Sequence, residues 1–325
     1  EGHTFEVLQG KEQLNFLRDV IKKLKHKELA SGSVLREISL AKANLITPSD
    51  MQELHSGDTG MEKIASVYGK YQEAKKIHGL MDFDDLLMET YQLLTNNQEV
   101  RTKYQSIFRH LMVDEWQDTN PAQAAILRLL IDHDSDDASF WVCGDDWQSI
   151  YSFAGASVGN ILNFNRMFPD SREYILSVNY RSTPEILKAC QNLIRHNSRK
   201  IEKVLRTPNG KGEEVKVLEA INEEAEARMI VSEILDLTER KNYQLKDLAI
   251  LCRSNFQSRT IEEAFLEQKI PYFIENGLNF YRRYEVRVLL DYLRFIDNPL
   301  SLEGNEALRA IINTPNRYIG KAFIN

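Results

Sequence analysis

Two adjacent carboxylates, Asp114 and Glu115, follow the apolar run His110-Leu111-Met112-Val113. Setting paired carboxylates at the end of a buried strand is costly unless they have a use. Phosphoryl transfer supplies one: an Asp to hold Mg2+ on a nucleotide and a Glu to orient or deprotonate the attacking water. A solvated acidic turn is the competing reading, and the pair alone does not separate the two. A second run, Phe140-Trp141-Val142-Cys143, leads into Gly144-Asp145-Asp146-Trp147-Gln148-Ser149-Ile150-Tyr151-Ser152-Phe153. Here Gln148 could touch a γ-phosphate and report its loss. Tyr151 and Phe153 could stack on single-stranded bases, a sequence-tolerant contact. A turn followed by aromatic core residues would read the same way. A third run, Tyr174-Ile175-Leu176, leads to Asn179-Tyr180-Arg181-Ser182-Thr183. An Arg between two α/β domains can act as a finger on the transferring phosphate, or it can be a surface Arg near a helix start.

These runs alternate with amphipathic helices. Asp82 can cap a helix through Leu86, Leu87, Tyr91 and Leu94. Asn120-Pro121 with Gln123 reads as a helix start, as does Thr183-Pro184-Glu185. Alternation of this kind implies βα units around a parallel sheet, with ligands at the carboxyl ends of the strands. Before His110 no β pattern is visible. Leu14, Leu17, Ile21 and Leu24 have helical spacing, Ser56–Gly60 is a loop, and residues 61–78 form another helical stretch. The expected layout is therefore an all-helical domain over 1–80, an α/β domain over 81–206, a polar linker at 207–214, and a second α/β domain over 215–325. In the last, strands are expected at 215–218, 248–252 and 272–274, and helices at 223–240, 258–268 and 285–297.

The 325 residues are 42% hydrophobic, enough for sizeable cores and about two domains. A net charge of −7 excludes a wholly basic DNA wrapper but not a local basic stripe. Cys143, Cys190 and Cys252 are far apart in apolar stretches, which argues against a zinc site or disulfide framework and for small core residues. No apolar run is long enough to span a membrane and no signal peptide opens the chain, so the expected compartment is the cytoplasm.

Taken together, VDEWQDTNPAQ, GDDWQSIYSFAGA and NYRSTPEIL resemble motifs II, III and IV of the UvrD/PcrA/Rep family of superfamily 1 DNA helicases, in the family's order and spacing. MDFDDLL resembles the family's lead-in to motif II. CRSNFQSRTIEEAFLEQKIPYFIENGLNFYRRYEV resembles the opening of its second motor domain with motif IVa, and NTPNRYIG the passage into a further insertion. The resemblance runs from about Phe5 to Asn325. It implies incomplete RecA-like P-loop NTPase motor domains, with the helical insertion called 1B. It also implies ATP and Mg2+ as cofactors, and a 3′ to 5′, single-strand-stimulated ATPase acting on single-stranded DNA and duplex junctions in repair or replication, alongside other proteins of those pathways. Asp114 would bind Mg2+, with Glu115 beside it as catalytic base. Gln148 and Arg181 would contact the γ-phosphate, Tyr180 would stack on adenine, and Arg283 of motif IVa would complete the nucleotide site. Tyr151 and Phe153 would stack on DNA.

The chain departs from the family pattern in several places. No G-x-x-x-x-G-K-[ST] loop occurs: Gly10-Lys11, Gly69-Lys70, Gly210-Lys211 and Gly320-Lys321 all lack the following Ser or Thr. The expectation is that this loop precedes Phe5, that motifs V and VI follow Asn325, and that the 325 residues alone turn over no ATP. Trp116 stands where Phe is usual, Trp147 where Asp is common, Ala154 where Arg is usual, and Ser177-Val178 in place of Glu-Gln. The two tryptophans are either core or extra stacking surface. Two other readings stay open: a degenerate helicase fold that binds nucleic acid or a partner, and the helicase part of an AddA/RecB-like helicase–nuclease.

Overall fold

The computed structural model describes residues 5–132, 135–150, 155–240, 242–254, 256–275 and 284–319. The chain divides into two compact units, Glu1–Val215 and Lys216–Asn325.

The first unit opens on a strand, β1 (Glu6–Leu8), that pairs in parallel with β2 (Leu80–Asp82), Val7 opposite Met81. Sequence patterning places no strand before His110. Two three-residue strands are too short to display a period-two alternation, and their pairing joins segments more than seventy positions apart. Between them lie α1 (Gly10–Lys23), α2 (Ser31–Ala43), α3 (Pro48–Leu54) and α4 (Thr59–Ile77). Local chemistry sets their starts. Thr47 and Asp50 form a capping box ahead of Pro48, and Asp58 accepts from the amides of Gly60 and Met61. Their apolar stripes close one core: Leu17, Val20 and Ile21 of α1, Val34 and Ile38 of α2, Met51 of α3, and Tyr68 and Tyr71 of α4.

Buried charge joins this helical layer to the next helix, α5 (Phe83–Asn96), which Asp82 caps through a capping box with Asp85. Lys42 of α2 and Lys75 of α4 converge on these two carboxylates, and all four residues are at most 4% exposed. Lys42 Nζ lies 2.8 and 2.7 Å from the two Asp82 oxygens and 2.7 Å from Asp85. Lys75 bonds both carboxylates, and the Tyr71 hydroxyl donates to Asp82 at 3.0 Å. Two cations against two anions leave the buried cluster neutral, which is what makes it tolerable. Burial works to raise the Asp82 pKa, but Lys42 and Lys75 overcome it and hold the carboxyl well below its usual range. Burial, then the neighbouring Lys42 charge, push Lys75 down to about 8.

After α6 (Gln98–Ile107) comes β3 (His110–Val113), then α7 (Pro121–Leu130), capped as expected by an Asn120–Gln123 box, and β4 (Ser139–Val142). β3 and β4 pair in parallel, His110 opposite Ser139 and Val113 opposite Val142. Two short helices follow, α8 (Gly159–Leu162) and α9 (Phe164–Met167), and Phe164 of α9 packs its ring against Phe140 of β4. Trp116 is 1% exposed and meets Phe140 and Phe164 edge-on.

Several expectations are corrected. Residues 174–176 form no strand: Leu176 is exposed, and just beyond the segment the chain makes a single parallel bridge, Val178 with Arg206. A strand exists by virtue of its ladder, and here the ladder is one rung long. α10 (Pro184–Ile194) starts where Thr183-Pro184 indicates. The polar segment 207–214 bonds back onto the start of α10, with Gly212 N donating to Glu185 Oε2 at 2.9 Å. All three cysteines are exposed, not core.

In the second unit α11 (Glu223–Arg240) and α12 (Ser258–Glu267) share a core of Ala227, Val231, Ile234, Ile261, Phe265 and Ile270. α13 (Tyr284–Asp297) packs on α14 (Leu302–Ile311), whose last carbonyls accept from Arg317. The helices stand where their periodicity places them. The runs 215–218, 248–252 and 272–274 find no ladder partner among the described residues, so Val217, Leu251 and Phe273 are almost fully exposed. The architecture is thus mixed α/β, with two small parallel sheets among the described residues of the first unit.

Candidate active site

Asp114 and Glu115 leave the carboxyl end of β3 exposed, side by side. The ladder to β4 runs past both strands: Cys143 N donates to Val113 O at 2.8 Å and Trp116 N to Cys143 O at 2.9 Å. The chain must therefore turn sharply at Glu115, which adopts a left-handed conformation with φ 50° and ψ 43°. A side chain costs about 1–2 kcal/mol there and glycine almost nothing, so Glu115 holds its carboxylate at a strained turn. That carboxylate is held. Gln117, 1% exposed, donates from Nε2 to Glu115 Oε2 at 2.7 Å and accepts at Oε1 from Asp145 N at 3.0 Å. One buried amide thus ties the Glu115 turn to the loop after β4. Gly144 makes room for it, since a Cβ at that position would lie 2.6 Å from Gln117 Oε1 and 3.2 Å from Trp116 N.

Asp118 lies one short turn further on. Its Oδ1 is buried with no hydrogen-bond partner, and burial followed by the Glu115 charge raises its pKa. The donor set suits Mg2+, a hard cation that takes oxygen ligands. No cluster of three or more His, Cys, Asp and Glu able to cage a metal is assembled among the described residues. Asp114 and Glu115 supply two carboxylates, and one or two carboxylates are what Mg2+ takes from protein when phosphates and water complete its shell.

In the second loop Gln148 is exposed, and its Nε2 donates to Asp145 Oδ2 at 2.9 Å. Trp147 is half-buried: its Nε1 donates to Ile201 O at 3.3 Å and Lys203 lies 4.8 Å over its ring. Trp116 donates from Nε1 to Asn160 O at 3.1 Å. Both tryptophans are packed and bonded within the unit, which decides between core and stacking surface. Tyr151, Phe153, Ala154 and Arg283 lie outside the described residues.

In the third loop Asn179 Oδ1 accepts from the amides of Arg181 at 3.0 Å and Ser182 at 2.8 Å. Asn209 closes the loop from the far side, donating to the carbonyls of Tyr180 at 3.0 Å and Ser182 at 3.2 Å. Tyr180 and Arg181 are exposed to solvent. Gln117 brings the first two loops together. No hydrogen bond or ion pair among the described residues links Tyr180 or Arg181 to Asp114, Glu115 or Gln148.

Sequence reasoning missed Gln117, Lys203 and Asn209. Gln117 lies two positions after Glu115 within VDEWQDTNPAQ, so its place beside the carboxylates is local. Nothing local marks Lys203 or Asn209, which act on residues 58 and 29 positions away.

Two family models account for the chain: the UvrD/REP helicase N-terminal domain matches residues 2–169 and the UvrD-like helicase C-terminal domain matches residues 174–325. The chain belongs to the UvrD/REP helicase family. Among curated relatives, the ATP-dependent DNA helicase PcrA of Staphylococcus aureus (strain Mu50) is 37% identical over 323 residues, 99% of this chain and 43% of that protein. PcrA of Staphylococcus epidermidis (strain RP62A) matches to the same extent. The chain therefore spans less than half the length of these helicases. The two family models meet near residue 170, but the compact units divide after Val215. The bonds of Lys203, Arg206, Asn209 and Gly212 explain the difference, because they fasten the start of the C-terminal family domain onto the first unit.

Proposed function

We propose that this chain is part of an ATP-driven DNA translocase, working 3′ to 5′ on single-stranded DNA and at duplex junctions in repair or replication, with its ATPase stimulated by the single strand. The observation that carries the reading is Glu115. A glutamate is kept in a left-handed turn at a strand's carboxyl end, with its carboxylate oriented by a buried glutamine and a second carboxylate beside it. That is the placement a water-positioning base needs. Relatives named ATP-dependent DNA helicase support it. The layout consistent with this is a 1B-like helical domain over 1–80, parts of two RecA-like P-loop motor domains over 81–206 and 215–325, and the intervening segment 207–214.

In this reading Asp114, with Glu115 adjacent, would hold Mg2+, which when bound neutralises charge on the nucleotide phosphates. Glu115 accepts the proton of the attacking water, while Gln117 keeps its carboxylate from turning away. Gln148 donates an amide hydrogen to the γ-phosphate, and Arg181 brings a guanidinium to the same group. Tyr180 stacks on adenine and Arg283 adds a cation. Tyr151 and Phe153 stack on the DNA bases. The 325 residues carry no phosphate-binding loop, so on their own they turn over no ATP.

The test is ATP hydrolysis by the full-length protein, with and without single-stranded DNA, beside its Glu115→Gln variant. Stimulation by DNA that disappears in a folded Glu115→Gln protein is the expected result. Undiminished hydrolysis by that variant would remove Glu115 from the chemistry.

A further inference from the structure

Lys203 follows α10 and stands 58 positions beyond the loop it touches. Its side chain is 11% exposed, with Nζ 2.5 Å from Asp145 Oδ1 and 2.7 Å from Asp146 Oδ1. The neighbouring backbone locks this arrangement: Ile201 N donates to Asp146 Oδ2 at 2.7 Å and Ile201 O accepts from Trp147 Nε1. Asp145 then uses its other oxygen, Oδ2, to receive Gln148 Nε2 at 2.9 Å. A single carboxylate therefore stands between a half-buried ammonium and the exposed amide.

We propose that Lys203 is a positioning residue for Gln148, acting through the Asp145 carboxylate. The proposal rests on the reading of Gln148 as the γ-phosphate contact. A glutamine on an exposed turn samples many rotamers. The bond to Asp145 removes that freedom and leaves the second amide hydrogen as a donor directed away from the carboxylate. Asp145 does this best as a stationary, charged acceptor, because charge-assisted hydrogen bonds are the stronger ones. Adjacent carboxylates at 145 and 146 repel each other, and an ammonium bonded to both reverses that repulsion. Burial alone would raise the Asp145 pKa, but the bonds from Lys203 and Gln148 bring it below its usual value, so the acceptor stays ionised. Asp146 anchors Lys203 to the backbone at Ile201, and Asp145 passes the constraint to Gln148.

The experiment is steady-state ATP hydrolysis by the full-length protein with saturating poly-dT, for Lys203→Met, Lys203→Arg, Gln148→Ala and the Lys203→Met/Gln148→Ala double variant. Lys203→Met is expected to lower kcat roughly tenfold, the low end of what losing a supporting partner costs a site. KM for ATP should stay within about twofold, as for an interaction made in the transition state. Lys203→Arg should recover most of the rate. In the Gln148→Ala background, Lys203→Met should change kcat by less than about twofold, because the residue it positions is gone. A full tenfold loss in that background, or wild-type kcat in Lys203→Met while Gln148→Ala is impaired, would overturn the proposal. Wild-type kcat in Gln148→Ala would instead sink the underlying reading of Gln148. Should Lys203→Met fail to fold, Asp145→Ala replaces it. That variant breaks the relay but keeps the Lys203–Asp146 pair, and the same two comparisons with Gln148→Ala decide.

Discussion

Replacing Lys42 with Met removes an ammonium but keeps most of the side chain's volume, so the electrostatic contribution is isolated. Three bonds of 2.7–2.8 Å to Asp82 and Asp85 disappear. The remaining buried group holds two carboxylates and one ammonium, and so one uncompensated negative charge. Breaking a buried pair from one side costs about 3–5 kcal/mol. The low end applies here, because Lys75 already bonds both carboxylates and the Lys42 charge that depresses its pKa is gone. For a unit of this size, about 3 kcal/mol lowers Tm by roughly 6–12 °C. The assay is thermal and urea unfolding of the 325-residue chain at pH 7, followed by near-UV circular dichroism, with m-values compared. The matched control is Lys42→Met/Asp85→Asn, which restores neutrality as one cation against one anion. It should recover about half of the loss, within the coupling of roughly 0.5–3 kcal/mol seen for contacting residues. A Tm change under about 2 °C for Lys42→Met would refute the reasoning. So would a double variant that falls as far as the sum of its parts, since charge balance would then not be what holds the joint.

Three further outcomes rest on the same geometry. Lys75 has its folded pKa lowered to about 8, so between there and its unfolded value the unfolded chain binds more protons; its penalty is relieved as pH rises. The urea midpoint of the wild type should therefore gain on that of Lys75→Met between about pH 7.5 and 9.5, and a flat difference would contradict the assignment. Gly144→Ala should destabilise by about 1–3 kcal/mol, because the new methyl meets Gln117 Oε1 and Trp116 N and overpacks the link between the two loops; denaturant titration reads this directly. Glu115→Gly should be more stable than Glu115→Ala by about 1 kcal/mol, both lacking the Gln117 bond but only alanine bearing the left-handed penalty. Equal melting points would place the turn elsewhere.

Much of the site could be read from the chain because its signals are contiguous. Asp114-Glu115, Asp145 to Gln148 and Asn179 to Arg181 each come just after an apolar run, and the Asn120 and Asp82 caps act within three residues. The helices were readable for the same reason: their spacing repeats over ten or more positions, as in α1, α11 and α13. What the chain's linear order hid are contacts between distant segments. Lys42 reaches Asp82 across 40 positions, Lys203 reaches Asp145 across 58, and β1 pairs with β2 across more than 70. Nothing near Lys203 distinguishes it from any lysine in a polar stretch. The strands fall between these cases. The runs at 174–176, 248–252 and 272–274 have strand composition, yet a strand is made by hydrogen bonds to a neighbour, which composition does not supply. Sequence by itself determined the family, the residue types at the strand ends and the helix starts, because these depend on local order and local bonds. Tertiary structure alone decided which side chains hold them in place, because a buried ion or amide is stabilised only by the partners that folding brings to it.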